Sequence, residues 1–400
     1  MSNIKKSLFR KRRKKESRLK YVMFLSHLWL GLLSGVVIIL LCISGCLYSF
    51  KTQIIESYNS DKVFVESKGK EPMSPKELQD LLDAKAYKLN SIYLPEDANR
   101  SWSLSYFDEQ ENLRSTFFNP YTQKQLGTSD AALDSFFQVV LDFHRTLLLG
   151  DVGRQILGVS VLMFLFLMVS GFILWLPKKL KHLKQSFTIK FKAKFQRVNY
   201  DFHKVVGFYS MLLLAFISVT GIYITYPWVK SGLIVALGGE PLSQINSENE
   251  SADSGAFADL MKDMLKRQDE KKQTTEQKTA TLAQIVDKVQ KEFPAKASLT
   301  IEFPNAENPR FMVKRRHKEN ALRFIVEDEL SFDRTGELQT KEIFSDKPLN
   351  KQFTSLAKPL HTGEIMGLSS IIVYFIVTLI GALLPLSGFL IWWNRARKLK

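Results

Sequence analysis

Four stretches of the chain carry no charged residue: 21–50, 155–177, 205–229 and 365–394, each at least 23 residues long. A helix needs about 20 apolar residues to cross a hydrocarbon core roughly 30 Å thick. The pattern predicts four membrane-spanning helices and excludes a chain that folds wholly in water. With only 2 cysteines in 400 residues, a secreted disulfide scaffold is excluded as well.

The net charge of +16 first suggests a nucleic-acid partner. Its distribution says otherwise. Residues 1–20, 178–204 and 395–400 together hold 23 basic residues and 2 acidic ones, and the rest of the chain has 33 basic against 38 acidic. The whole excess therefore flanks the apolar runs, which is the positive-inside pattern of a membrane protein. No nucleic-acid partner is expected. The partner that the charge implies is the lipid bilayer.

This asymmetry sets an expected topology. Residues 1–20 form a basic cytoplasmic tail and 21–50 the first span, read as a retained anchor because its apolar stretch is too long for a signal peptide. An outer segment, 51–143, follows. Residues 144–177 carry the second span, 178–204 a cytoplasmic loop and 205–229 the third span. A second outer segment covers 230–360, the fourth span lies in 361–394, and 395–400 is a cytoplasmic tail.

The two halves of the chain repeat each other. His27 is followed by Gly31 and Ser44-Gly45; His203 is followed by Gly207 and Thr220-Gly221. The distance from histidine to second glycine is 18 residues in both. His144 precedes Gly150 and Ser170-Gly171-Phe172-Ile173-Leu174-Trp175, and His361 precedes Gly367 and Ser387-Gly388-Phe389-Leu390-Ile391-Trp392. These spacings are 6 and 27 in both copies. Internal duplication is the expected origin.

The outer segments follow the same plan. Residues 74–84 and 281–291 have the period of short amphipathic helices. Strand-like stretches come next, at 101–107 and 113–118 in the first copy and at 299–303, 310–315 and 322–326 in the second. Turn-rich sequences at 118–122 and 332–336 close each copy. Each outer segment reads as an α+β module. The second contains a polar insertion, 239–279, with some helix expected near 256–268 and no counterpart in the first.

Four of the six histidines occupy the repeat positions. The topology places His27 and His203 at the cytoplasmic face, and His144 and His361 at the outer face. Two facing imidazoles suit a six-coordinate b-type haem, whose iron takes four porphyrin nitrogens and two axial ligands. A closed zinc site would want four protein ligands, and no Cys, Asp or Glu repeats beside these histidines. The expected cofactors are two haems. Both are non-covalent, because Cys42 and Cys46 do not form an attachment motif and read as packing residues.

Eighteen residues are five helical turns, so Gly45 shares a face with His27, and Gly221 with His203, about 27 Å further along. Gly45 and Gly221 then fall level with the outer pair, and Gly171 and Gly388 level with the inner one. The spacing suggests that these glycines make room for a macrocycle. Ordinary helix packing is the competing reading. Arg145 and Arg154 near the outer pair, and Lys204 near the inner one, are candidates for haem propionates or for anchoring at the membrane surface. Gly150 and Gly153, like Gly363 and Gly367, are expected to break the helix after the ligand. The tryptophans at span ends read as interfacial belt residues. His182 and His317 have no repeat partner and read as solvated.

These residues resemble a known family. The modules within 70–127 and 280–340 look like PepSY domains. The His144-Arg145-Thr146-Leu147-Leu148-Leu149-Gly150 block, the Ser-Gly-x-x-x-Trp ends and the Leu360-His361-Thr362-Gly363 block resemble PepSY-associated transmembrane helix proteins. Some of these are ferric-siderophore reductases of the bacterial inner membrane. The resemblance implies four spans, two periplasmic PepSY-like modules and two haems on His27, His144, His203 and His361. It also implies an oxidoreductase that delivers electrons to ferric iron outside the cytoplasm. The acceptor would be a ferric siderophore or another ferric chelate. No dinucleotide fingerprint is present and the 27-residue cytoplasmic loop is too short for a nucleotide domain, so the donor would be external, a membrane quinol or a soluble reductase. Two other readings stay open: a haem-free regulator whose modules bind a peptidase or peptide, and a transporter of haem or metal.

Overall fold

The structure is a computed structural model. It describes residues 8–14, 16–177, 179, 183–241, 279–305 and 308–397. The helix expected near 256–268, most of the polar insertion and His182 lie outside the described residues. The chain divides into two compact units, one made of Met1–Gln53, Ala132–Tyr226 and Ala357–Lys400, the other of Ile54–Ala131 and Pro227–Leu356.

The first unit is helical. Its elements are α1 (Arg18–Ser49), α2 (Ala131–Thr146), α3 (Gly150–Trp175), α4 (Phe195–Thr225), the end of α5 (Leu349–Thr362), which belongs to this unit from Ala357, and α6 (Leu368–Arg397). Helices α1, α3, α4 and α6 are long and apolar enough to cross a membrane, as the uncharged runs predict. They pack in a closed ring, α1 and α4 each touching both α3 and α6. Leu33, Val36, Leu162, Val169 and Leu212 point outward and are exposed, as suits a lipid solvent. Ile38, Cys42, Phe164, Leu214 and Ala382 meet in the middle. Small residues allow this approach. A Cβ on Gly381 would stand 3.1 Å from Cys42 Sγ, and one on Gly35 3.3 Å from Pro385.

Helix ends follow local chemistry. The Ser17 side chain accepts from the Lys20 N–H and caps α1. Helix α4 stops at Thr225, just before Tyr226-Pro227. It starts ten residues before its uncharged run, so His203 lies inside the helix. The breaks after the other two histidines are also present. Between α2 and α3, Leu147, Leu148 and Gly150 adopt φ of 51°, 59° and 57°. Between α5 and α6, Gly363 and Gly367 adopt φ of 81° and 74°. Gly153 does not break a helix, contrary to expectation. It lies in the first turn of α3, where a Cβ would fall 1.7 Å from the Thr146 carbonyl oxygen, so its bare backbone lets the end of α2 come close.

The second unit is built on one antiparallel sheet: β1 (Lys88–Leu94), β2 (Trp102–Phe107), β3 (Leu113–Asn119), β4 (Lys124–Gly127), β5 (Ser298–Glu302), β6 (Phe311–His317), β7 (Val326–Phe332) and β8 (Leu338–Glu342). The order is β4-β3-β2-β1-β5-β6-β7-β8, and Ile92 on β1 faces Ile301 on β5. The two outer segments are therefore halves of one sheet rather than separate modules. Each half contributes a helix, Pro75–Asp83 or Leu282–Glu292, and each helix starts with a capping box, on Ser74 or Thr281. Leu78, Leu82, Ile285 and Val289 from these helices bury against Leu104, Phe118, Phe311 and Val313. The loop sequences singled out as turns do turn. Asn119 Oδ1 accepts from the Tyr121 and Thr122 N–H groups, and Asp333 Oδ1 from those of Thr335 and Glu337.

Strand β1 is an addition to the sequence reading, and β7 begins where the expected strand 322–326 ends. His317 is a correction. It is 9% exposed, not solvated, with Nε2 3.0 Å from Asp328 Oδ2. Asp328 also pairs with Arg315 at 3.2 Å, and both are almost wholly buried. Odd-numbered residues of β6 face the helices, so Arg315 and His317 share a side with Phe311 and Val313.

Candidate functional site

The ring of helices brings the four repeat histidines into two pairs. His27 from α1 faces His203 from α4, with ring centres 6.3 Å apart and planes at 88°. His144 from α2 faces His361 from α5, with ring centres 6.2 Å apart and planes at 53°. These are the pairings that the topology predicts.

Each ring rests in a cradle formed by the hydroxyl-glycine dipeptide of a neighbouring helix. His27 Nδ1 lies 2.9 Å from Ser170 Oγ, and His203 Nδ1 lies 2.8 Å from Ser387 Oγ. His144 Nδ1 lies 3.0 Å from Ser44 Oγ, and His361 Nδ1 lies 3.2 Å from Thr220 Oγ1. The glycine after each hydroxyl faces the same ring. A Cβ on Gly171, Gly45, Gly388 or Gly221 would stand 3.2, 3.2, 3.3 or 2.9 Å from Cε1 of His27, His144, His203 or His361. Each of these glycines lies at the level of the histidine pair that the spacing assigns to it, and the atom its Cβ would meet belongs to the imidazole. Sequence reasoning missed the hydroxyls, although all four are visible as the residue before the glycine.

The geometry fits a metal held between two imidazoles. A metal–imidazole bond is about 2.0 Å and the ring centre lies roughly 1.2 Å behind the nitrogen, so two opposed ligands stand roughly 6.4 Å apart, centre to centre. Both pairs meet this. Among the described residues, the hydrogen bonds of the four rings run through Nδ1, leaving Nε2 for a metal. Among the described residues, no three His, Cys, Asp or Glu side chains gather as a zinc-type set would. The donor set is two imidazoles per site, which suits a cofactor that brings its own equatorial nitrogens.

Two of the remaining candidates, Arg154 and Lys204, have other partners. Arg154 pairs with Asp151 at 2.6 Å, while Arg145 is exposed in the last turn of α2. Lys204 Nζ donates to Ser186 Oγ at 2.9 Å. Trp175 is not a belt residue. It is buried, stacks on Phe208 at 4.0 Å and donates from Nε1 to the Ser186 carbonyl. Cys42 and Cys46 are buried free thiols, as packing residues would be.

Residues 24–395 match the family described as the PepSY-associated TM region. No curated protein matches the chain.

Proposed function

The chain belongs to the PepSY-associated TM region family, and on that premise we propose that it is a di-haem, b-type electron-transfer protein of the bacterial inner membrane. His27 and His203 would hold one haem near the cytoplasmic face. His144 and His361 would hold the other near the periplasmic face. The observation that carries this reading is the twofold occurrence of a cradled imidazole pair at 6.3 and 6.2 Å. When bound, each haem supplies a one-electron couple between ferric and ferrous iron.

The protein's own residues fix the rings, keep water from the middle of the bundle through Ile38, Cys42, Phe164 and Leu214, and set the two pairs about 27 Å apart along α1. The acceptor would be a ferric siderophore or similar chelate, docked at the PepSY-like halves of the sheet. Each ferric ion takes one electron and becomes ferrous, which the chelator holds less tightly. A quinol donor would release two electrons and two protons and match two ferric ions; a soluble reductase is the other class of donor. Internal duplication accounts for the matched halves.

Haem content tests the proposal. A pyridine haemochrome assay should give two non-covalent haems per chain. His27→Ala and His203→Ala should each remove the same haem, and His144→Ala and His361→Ala the other. Purified, folded protein that holds no haem would overturn the reading and favour a haem-free PepSY-type regulator.

A further inference from the structure

We infer that Ser44, Ser170, Thr220 and Ser387 are positioning residues that lock all four imidazoles in one tautomer, with Nδ1 protonated and Nε2 left as the electron-pair donor. A hydroxyl has a single proton to give. In each case it is already committed to the helix that carries it. Ser44 donates to the Leu40 carbonyl at 2.9 Å, Ser170 to Leu167 at 3.1 Å, Thr220 to Ile217 at 2.9 Å and Ser387 to Leu384 at 2.9 Å. What each hydroxyl offers the neighbouring imidazole is therefore a lone pair. The ring must bring the proton, and Nδ1–H donates.

The backbone gives independent support. His361 Nδ1 is also 3.0 Å from the Ile217 carbonyl, and a carbonyl oxygen can only accept. Leu167, Leu41 and Leu384 place their carbonyls beside His27, His144 and His203. Each of these residues stands three positions before the cradle hydroxyl, as Ile217 does before Thr220. Four sites thus share a hydroxyl acceptor on Nδ1–H and a glycine against Cε1, and at His361 a backbone carbonyl is a second acceptor.

The consequence for iron rests on the haem reading above; the tautomer itself does not. An acceptor on Nδ1–H raises the basicity of the ligating nitrogen, as carbonyl and carboxylate partners do for zinc-bound histidine. A more basic ligand favours the ferric state and lowers the reduction potential. The hydroxyls act crosswise. Ser170 and Ser387 tune the haem of His27 and His203, while Ser44 and Thr220 tune the haem of His144 and His361.

Two measurements test this. The first is nitrogen NMR of the full chain with isotope-labelled histidine, before and after haem removal. Without haem, the four rings should report a protonated Nδ1 and a bare Nε2, and Ser170→Ala should raise the Nε2-protonated fraction at His27 alone. The second is a redox titration of the haem-loaded protein. Ser170→Ala and Ser387→Ala should each raise the midpoint potential of one haem and leave the other unmoved. Ser44→Ala should do the same for the second haem, and Ser170→Thr should restore the first. Protonated Nδ1 in a chain that never binds haem would overturn the haem reading and support the positioning role. Two bound haems with unshifted potentials and unchanged tautomers in the alanine variants would overturn the positioning role and leave the haem reading standing.

Discussion

At Gly221 the His361 ring comes so near that even a methyl group would need something to move, since a Cβ there would be 2.9 Å from Cε1. At Gly45, Gly171 and Gly388 the clearances are 3.2, 3.2 and 3.3 Å, tight but closer to what a small shift of the ring can absorb. Glycine-to-alanine substitutions should therefore be ranked, with Gly221→Ala the most harmful and Gly388→Ala the least. Overpacking of this kind costs about 1–3 kcal/mol. Haem retained after purification, measured for the haem facing each cradle, checks the order; equal retention in all four would remove it. The histidine pairs were legible because 18-, 6- and 27-residue spacings survive in both halves. The hydroxyls were not, because a serine in a membrane helix ordinarily bonds its own backbone and gives no sign of a second partner. His317 was misread because a charged neighbour, Arg315, hides the period of two that places β6 residues inward; only the facing Asp328 explains why that side tolerates them.

At the scale of elements, the break between α2 and α3 is where sequence and geometry meet most tightly. Gly153→Ala would set a methyl carbon against the Thr146 carbonyl at a distance that no side-chain motion relieves, since both partners are backbone. This variant should fail to accumulate as folded protein. Gly150→Ala is the control. Its φ is 57° but nothing stands near its Cβ, so it should fold with a loss of roughly 1–2 kcal/mol. Thermal unfolding of the two variants checks the contrast. The four spans were legible from length and absence of charge alone. Strand β1 was not, because the pairing shifts between Leu89 and Ser91 and the irregularity breaks the alternation that marks a strand. Strand β7 was displaced in the sequence reading by Glu327, Asp328 and Glu329, whose inward member is neutralised by Arg315.

On the scale of the whole molecule, the joining of the outer segments into one sheet could not be read from either segment, because each looks complete until β1 and β5 are seen side by side. The cradles divide the chain differently from the histidine pairs. Helix α1 cradles His144 and α3 cradles His27, so the first half holds its own histidines; α4 cradles His361 and α6 cradles His203, so the second does too. The pairs, in contrast, always join one half to the other. Fragments 1–177 and 178–400, made together, should therefore reassemble and recover the spectrum of the intact protein, whereas either alone should bind haem poorly; failure of the paired fragments to associate would count against this division. In thermodynamic terms, each iron would sit at an association interface folded into a monomer. Cofactor and assembly are then linked by mass action: whatever free energy the iron gains from two ligands is free energy holding the halves together, so scarcity of haem would register first as a loosening of one half from its counterpart.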